Sequence, residues 1–144
     1  MLDFNSEFAD VAWNEEAGVA VLGWKKFAAG DDFKLPCRRA LDLGIQKGAV
    51  HWFSDTTELG ALREEDCDWF LDEIVSGMLK KGITAQALII PQSVISKMTL
   101  YQASEAAVDL GLETRYFDNR ADALKWLQGR KWQAEKKTAE ISAV

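Results

Sequence analysis

Strand-length apolar runs that alternate with segments of helical periodicity constrain the fold of this chain most. The runs at residues 49–53 and 84–90 are mostly apolar along their whole length, which is typical of strands covered on both faces of a sheet. The run at residues 113–117 alternates in polarity, as an edge strand does. Because parallel strands need long crossover connections, the helical segments between these runs predict a mostly parallel sheet.

The chain begins with a pattern typical of a β-hairpin. Residues 11–14 and 19–24 are β-prone, and the polar connection between them closes on Gly18. Together with the later strands, the hairpin predicts an α/β fold. We expect a mixed, mostly parallel sheet that is opened by an antiparallel hairpin and covered by about four helices.

The clearest helix is predicted over residues 64–81. Its first turn is acidic, Lys80 and Lys81 stand in its last turn, and a glycine follows. Acid at the start and base at the end complement the helix dipole, and glycine provides a left-handed stop. The apolar positions form one stripe, which predicts that Phe70 and Ile74 face the core.

Another helix is predicted to end near Lys47, since its apolar positions follow helical spacing. Asp31 or Asp32 is the expected cap. Pro36 is expected in the first turn, where a proline removes no helical hydrogen bond. The stretch at residues 93–99 fits either a loop or the start of a further helix.

The length of 144 residues fits one domain, because domains usually have about 100–200 residues. We expect a single domain over residues 1–144 with its core at about residues 11–128. Gly129 is expected to end the last helix, which leaves residues 130–144 as a charged C-terminal tail.

An excess of acidic side chains narrows the range of partners. The net charge is −6, so we expect repulsion of phosphate backbones and no nucleic-acid partner. No segment approaches the about 20 apolar residues of a membrane span, and the N-terminus lacks a secretory-signal pattern. Cys37 and Cys67 stand outside any CxxC pair. These features predict a cytoplasmic protein whose cysteines are free thiols.

The sequence lacks a recognisable catalytic constellation. His51 is the single histidine, which excludes a multi-histidine metal site. Glycine-rich nucleotide-binding motifs and serine-nucleophile motifs are absent from the sequence. We therefore expect no enzymatic activity, no cofactor and no metal. An enzyme that uses Asp55 together with His51 is the alternative that the residues leave open.

Polar residues follow the predicted parallel strands, at the edge where ligands gather in open α/β sheets. Asp55, Thr56 and Thr57 follow one strand, and Ser93 follows the next. These four residues form the candidate site for a ligand or partner. Helix capping and turn formation are the alternative use of the same side chains.

Six tryptophans are spread over nearly every predicted element. Trp24 ends the hairpin, where an open sheet edge with an aromatic ring would suit a protein partner or a second copy of the chain. We therefore add Trp24 to the candidate site and expect a two-fold homodimer through the hairpin. The alternative is that the rings pack in the core or line a cavity for an apolar small molecule, which needs roughly 300 Å³ or more.

The order and spacing of several motifs resemble the SpoIIAA-like branch of the STAS fold, a group also described as STAS/SEC14-like in bacteria. The resemblance covers roughly residues 11–128. The motifs that carry it are Trp24-Lys25, His51-Trp52-Phe53-Ser54-Asp55, Glu65-Asp66-Cys67-Asp68-Trp69, Ala87-Leu88-Ile89-Ile90-Pro91, Tyr116-Phe117-Asp118 and Ala123-Leu124-Lys125-Trp126-Leu127.

The resemblance implies a non-enzymatic regulatory or protein-binding domain with helices packed on a four- or five-stranded sheet. Some STAS-like proteins are switched by phosphorylation of a serine at the start of the helix after the central strand. This chain departs from that pattern because Glu64, Glu65 and Asp66 occupy the helix start, and Thr56 and Thr57 are the alternative acceptors. Some distant relatives hold lipids, so the second function that the resemblance implies is a carrier or sensor of an apolar small molecule or lipid.

Overall fold

A six-stranded sheet forms the centre of the protein in the computed structural model, which describes residues 2–142. The strands are β1 (Phe4–Asn5), β2 (Ala9–Asn14), β3 (Val19–Trp24), β4 (His51–Asp55), β5 (Ala85–Ile89) and β6 (Glu113–Phe117). The helices are α1 (Asp31–Gln46), α2 (Glu64–Trp69), α3 (Ser76–Lys80), α4 (Val94–Asp109) and α5 (Arg120–Ser142), and a π-helical segment, π1 (Phe70–Val75), joins α2 to α3.

The strands lie in the sheet in the order in which they occur in the chain. The pairs β1–β2 and β2–β3 are antiparallel, whereas the pairs β3–β4, β4–β5 and β5–β6 are parallel. The predicted architecture, a mostly parallel sheet opened by an antiparallel hairpin, is confirmed. The sheet has more strands than the four or five that the sequence resemblance implied, because the N-terminal residues add β1 to the hairpin.

Different helices cover the two faces of the sheet. Right-handed crossovers between consecutive parallel strands place all the connections on one face, and α1, the α2–π1–α3 helix and α4 lie there. On the opposite face, Ala123 and Leu127 of α5 pack against Val21 and Phe53. Side chains alternate along a strand, so Trp52 enters the core cluster of the first face and its neighbour Phe53 enters that of the second.

The predicted hairpin is covered unevenly. β3 lies inside the sheet, between β2 and β4, whereas the two-residue β1 covers β2 at Asp10 and Val11 only. Trp24 is 5 % exposed, and its ring stacks on Phe33 of α1 with 5.2 Å between the centroids. The expectation of an exposed Trp24 at a hairpin edge is therefore wrong, because β3 lies between β2 and β4 and α1 covers the indole.

The start of α1 also differs from the prediction. Gly30, rather than Asp31 or Asp32, is the cap, and its φ of 58° is a left-handed conformation that glycine adopts without strain. Its N–H group donates to the carboxylate oxygens of the buried Asp66 at 3.3 Å. Pro36 lies in the second turn instead of the first. The carbonyl that it leaves without a donor belongs to Asp32, at the exposed start of the helix, which makes this position tolerable.

Gly129 does not end the last helix, since α5 continues through it. Glycine ends a helix when it adopts a positive φ, and Gly129 does not. The next residue instead attaches the helix to the sheet, because Arg130 Nε donates to His51 Nε2 at 3.3 Å. The predicted tail is helical as far as the structure describes it. Residues 143–144 of that tail, like residue 1 of the predicted domain, lie outside the described residues.

The helix predicted over residues 64–81 is confirmed as the α2–π1–α3 helix. Its apolar stripe faces the sheet, where Ile74 is 1 % exposed. Phe70 is half-buried, and its ring meets that of Trp52 edge-on with 6.0 Å between the centroids. The helix therefore supplies much of the core on the first face of the sheet.

Replacing Ile74 by alanine is expected to lower the free energy of unfolding by about 2–5 kcal/mol, because buried atoms are lost and a cavity remains. Ile95 of α4 offers a matched control, since it is 67 % exposed and the same change removes little buried area. Chemical denaturation of both variants measures the difference. Equal free energies of unfolding for Ile74→Ala and Ile95→Ala would show that the α2–π1–α3 helix does not face the core.

The Trp24→Glu change is expected to destabilise the fold by more than about 4 kcal/mol, because it places a carboxylate between β3 and α1 without a partner. Trp132→Glu is the control, since Trp132 is 60 % exposed on α5. Thermal unfolding followed by circular dichroism compares the two variants. A melting temperature for Trp24→Glu that matches the unmodified chain would contradict the burial of this ring.

Candidate functional site

Asp55 ends β4 and is held by two neighbours. Thr57 donates to Asp55 Oδ1 from its backbone N–H at 3.1 Å and from its hydroxyl at 2.6 Å, while Arg120 Nε donates to Oδ2 at 2.7 Å. Burial opposes ionisation, but the hydrogen bonds from Thr57 and Arg120 outweigh it and lower the pKa of Asp55 below its ordinary value. Asp55 is therefore ionised at neutral pH, and it ties the start of α5 to the end of β4.

Gly23 has no side chain, and the guanidinium group of Arg120 occupies the space above it. Gly23 pairs with Asp10 on one side and with Asp55 on the other. A Cβ atom at this position would lie 2.7 Å from Arg120 Nη2 and 3.0 Å from Asp10 Oδ1. The guanidinium group thus lies over a glycine and beside two carboxylates. Sequence reasoning missed this cluster because its members are far apart in the chain, and a glycine inside a strand was the available signal.

Thr56 and Ser93 also have structural partners. Thr56 is buried, and its hydroxyl donates to the Ile89 carbonyl oxygen at 2.5 Å. Ser93 caps α4, since its hydroxyl oxygen accepts from the backbone N–H three residues later at 3.2 Å. The stretch at residues 93–99, whose pattern fitted either a loop or a helix, is therefore the cap and first part of α4. The structure therefore brings Thr57, but not Ser93, into contact with Asp55.

Trp24 and Thr56 both line an interior cavity of about 50 Å³ between the sheet and the helices of the first face. Trp52 also lines it, and its buried indole N–H has no acceptor among the described residues. A buried donor without an acceptor is costly, so this N–H is a site for a water molecule or a small polar group. Besides Thr56, the buried polar side chains that line the cavity are Ser54 and Gln86 of the sheet and Ser104 of α4.

His51 begins β4 and lies at the opposite end of that strand from Asp55. Its Nε2 accepts from Arg130 Nε, and Arg130 Nη1 also forms an ion pair with Glu113 at 2.6 Å. Burial, and to a smaller extent the charge of Arg130, lower the pKa of His51 to about 4. The ring is therefore neutral at pH 7, with its proton on Nδ1, for which the described residues provide no partner.

A groove of about 470 Å³ lies between α2 and α4 on the outside of the first face. Leu62, Cys67 and Ala103 line both this groove and the cavity, so the two spaces adjoin at these residues. The groove was not predicted from the sequence because its walls come from segments about 30 residues apart, and their pairing depends on the crossover.

Exposed apolar side chains extend from the groove toward the start of α4. Val94, Ile95 and Met98 are 72 %, 67 % and 56 % exposed. They lie in the stretch whose pattern fitted both a loop and a helix, and that ambiguity arose because its apolar residues point outward rather than into the core. Exposed apolar side chains grouped in this way mark interaction surfaces more often than those scattered singly.

Residues 2–142 contain neither a candidate metal site nor a helix able to cross a membrane. Over that part of the chain, no group of three or more His, Cys, Asp or Glu side chains is arranged to hold a metal ion. None of the helices described there combines the length and apolar character needed to cross a membrane. The two cysteines of this region, Cys37 and Cys67, are free.

Comparison with known proteins identifies the fold. No protein-family model and no curated protein matches this sequence. The chain is similar to the crystal structure of an uncharacterized protein from the DUF3478 family of Shewanella loihica PV-4, which has a SpoIIAA-like fold. The TM-score is 0.53 and the identity is 17 %, over 86 % of this chain and 98 % of that one. The chain therefore has a SpoIIAA-like fold, as its sequence motifs indicated.

The single histidine makes the environment of His51 directly measurable by NMR. We expect its imidazole resonances to titrate with a midpoint near the pKa of about 4, below the ordinary 6.5. The unfolded chain then binds this proton more readily, so the stability that the neutral ring contributes is lost as the pH falls from 6.5 toward 4. Arg130→Gln should raise the midpoint, and a midpoint of 6.5 in the unmodified chain would contradict the buried, neutral ring.

Proposed function

We propose that this chain is a non-enzymatic regulatory or binding domain that docks a protein partner on the apolar start of α4. The observation that carries the proposal is the exposure of Val94, Ile95 and Met98 at 72 %, 67 % and 56 %. These side chains adjoin a groove, as an apolar anchor site for a partner would. The SpoIIAA-like fold agrees with the proposal, because the resemblance drawn from the sequence implies binding rather than catalysis.

The positions of Asp55 and His51 support a role without catalysis. The two residues stand at opposite ends of β4. Asp55 follows His51 by four positions along an extended strand, which places them about 13 Å apart. A pair at that distance cannot act on the same substrate atom. Asp55 is in addition held by Arg120 and Thr57, which leaves it no free role as a base.

The second candidate is a carrier or sensor of an apolar small molecule or lipid. It is favoured by the mostly apolar lining of the cavity, where the unpaired indole N–H of Trp52 could bind a polar end of such a ligand. The cavity holds about 50 Å³, whereas drug-sized ligands occupy sites of roughly 300 Å³ or more. A carrier would therefore require the cavity to enlarge, for example toward the outer groove that it adjoins at Leu62, Cys67 and Ala103. The docking of a protein requires no such rearrangement.

The proposal also includes a single-domain organisation and a cytoplasmic location, as expected from the sequence. A second copy of the chain is one candidate partner. The homodimer through the hairpin stays a prediction. Residues 12–14 of β2, which β1 leaves unpaired, would supply its edge, and the buried Trp24 would take no part in it. The exposed start of α4 is another surface that a dimer could use.

Site-specific photocrosslinking in cells of the source organism tests the proposed surface. A photoreactive residue at Met98 is expected to give discrete protein adducts, whereas the same residue at Val108, 47 % exposed at the other end of α4, is not. An adduct of twice the chain mass would identify the partner as a second copy. Lipid adducts alone at Met98, or the same protein adducts at both positions, would contradict the proposal.

A further inference from the structure

We infer that the partner segment is an amphipathic helix with a basic polar face, which lies in the groove between α2 and α4. This inference rests on the proposed function and names the chemistry of the partner. It follows from three features of the groove: its shape, the apolar residues that continue it, and the charge along one of its edges.

The shape of the groove suits a helix. Its α4 wall includes Ala103 and Ala106, whose small side chains keep the space between the two helices open. A groove between neighbouring helices accepts the side-chain ridge of a third helix. α4 has 16 residues and is therefore about 24 Å long, enough to contact several turns of a partner. Leu62 closes the groove where its backbone N–H donates to Thr99 Oγ1 at 3.3 Å.

Exposed apolar residues continue the α4 wall beyond the groove. Thr99 and Gln102 line the groove, and Ile95 and Met98 precede them by four residues each. Residues at this spacing lie on the same face of a helix, so Ile95 and Met98 extend the groove by one turn. A partner helix in the groove would bury these two side chains, which are 67 % and 56 % exposed.

The opposite edge of the groove is acidic. Glu64 and Asp68 line it, and the exposed Asp72 follows at the same spacing of four residues. Arg63, the nearby cation, is already paired with Asp66 at 2.8 Å and with Glu65 at 3.3 Å.

Lys97 lies on a different stripe of α4, four residues before Tyr101, whose ring packs against Tyr116 of β6. The groove thus combines small and apolar side chains, continued by Ile95 and Met98, with an acidic edge, and a helix with apolar and basic faces complements both. The same acidic edge, on a chain with a net charge of −6, disfavours an anionic lipid surface as the occupant.

Two synthetic helical peptides that match the 16 residues of α4 in length test the inference. Both carry leucine on one face, and the polar face is all lysine in one and all glutamate in the other. Fluorescence anisotropy of the labelled peptides is measured against the full chain at physiological salt. We expect the leucine–lysine peptide to bind at least about tenfold more tightly than the leucine–glutamate peptide.

Variants of the full chain show where the peptide binds. The Ile95→Ser/Met98→Ser chain and the Glu64→Gln/Asp68→Asn chain are each expected to weaken binding of the leucine–lysine peptide about tenfold. Val108→Ser is the control for the apolar change. Asp42→Asn/Asp109→Asn is the control for charge, since it removes two exposed carboxylates elsewhere. Melting temperatures of all chains check that folding is retained.

The outcomes separate the two levels of the proposal. If either peptide binds and loses affinity in Ile95→Ser/Met98→Ser, but Glu64→Gln/Asp68→Asn behaves like its control, the α4 surface is supported and the basic partner is overturned. If the leucine–lysine peptide binds all variants equally, binding is non-specific charge attraction and the inference fails. If neither peptide binds the unmodified chain, the amphipathic helix is overturned, and the photocrosslinks at Met98 decide separately on the docking surface.

Discussion

The handedness of the strand connections is the constraint on which the rest of this structure depends. Because β3 to β6 are parallel and consecutive, right-handed crossovers put α1, the α2–π1–α3 helix and α4 on one face. The other face of the same strands has an apolar core cluster of its own and is covered by the last element, α5. Contacts at both ends of the sheet position that helix: Arg120 with Asp55, and Arg130 with His51 and Glu113.

The polar side chains at the ends of the strands form hydrogen bonds that attach α5 and the connecting segments to the sheet. Asp55 and His51 stand at the two ends of β4 and bind two parts of α5. Thr56 donates to the end of β5, and Ser93 caps α4. These contacts leave the outer side of the first face unused, where α2 and α4 border a groove with an acidic edge. The proposed function follows from that unused surface.

The sequence predicts well those features that depend on local pattern. The buried strands, the helix at residues 64–80 and the hairpin follow from apolar periodicity and from charge at helix ends. Features that depend on distant contacts could not be predicted. Gly30 caps α1, and its N–H group donates to Asp66, which is far away in the sequence. Helix α5 continues beyond Gly129, and Arg130 of that helix donates to His51 of the sheet. The groove belongs to the same class. The candidate roles of Asp55 and Trp24 rested on correct local patterns. Those patterns did not show that Thr57 and Arg120 donate to the carboxylate or that α1 covers the indole.

Truncation of α5 tests the central claim, that one face of the sheet depends on the last helix, most directly. The buried contacts of α5 come from Ala123 and Leu127. A chain that ends at Asn119 should therefore lose its cooperative thermal transition, whereas a chain that ends at Gln133 should keep it. A cooperative transition with an unchanged melting temperature in the chain that ends at Asn119 would contradict the account.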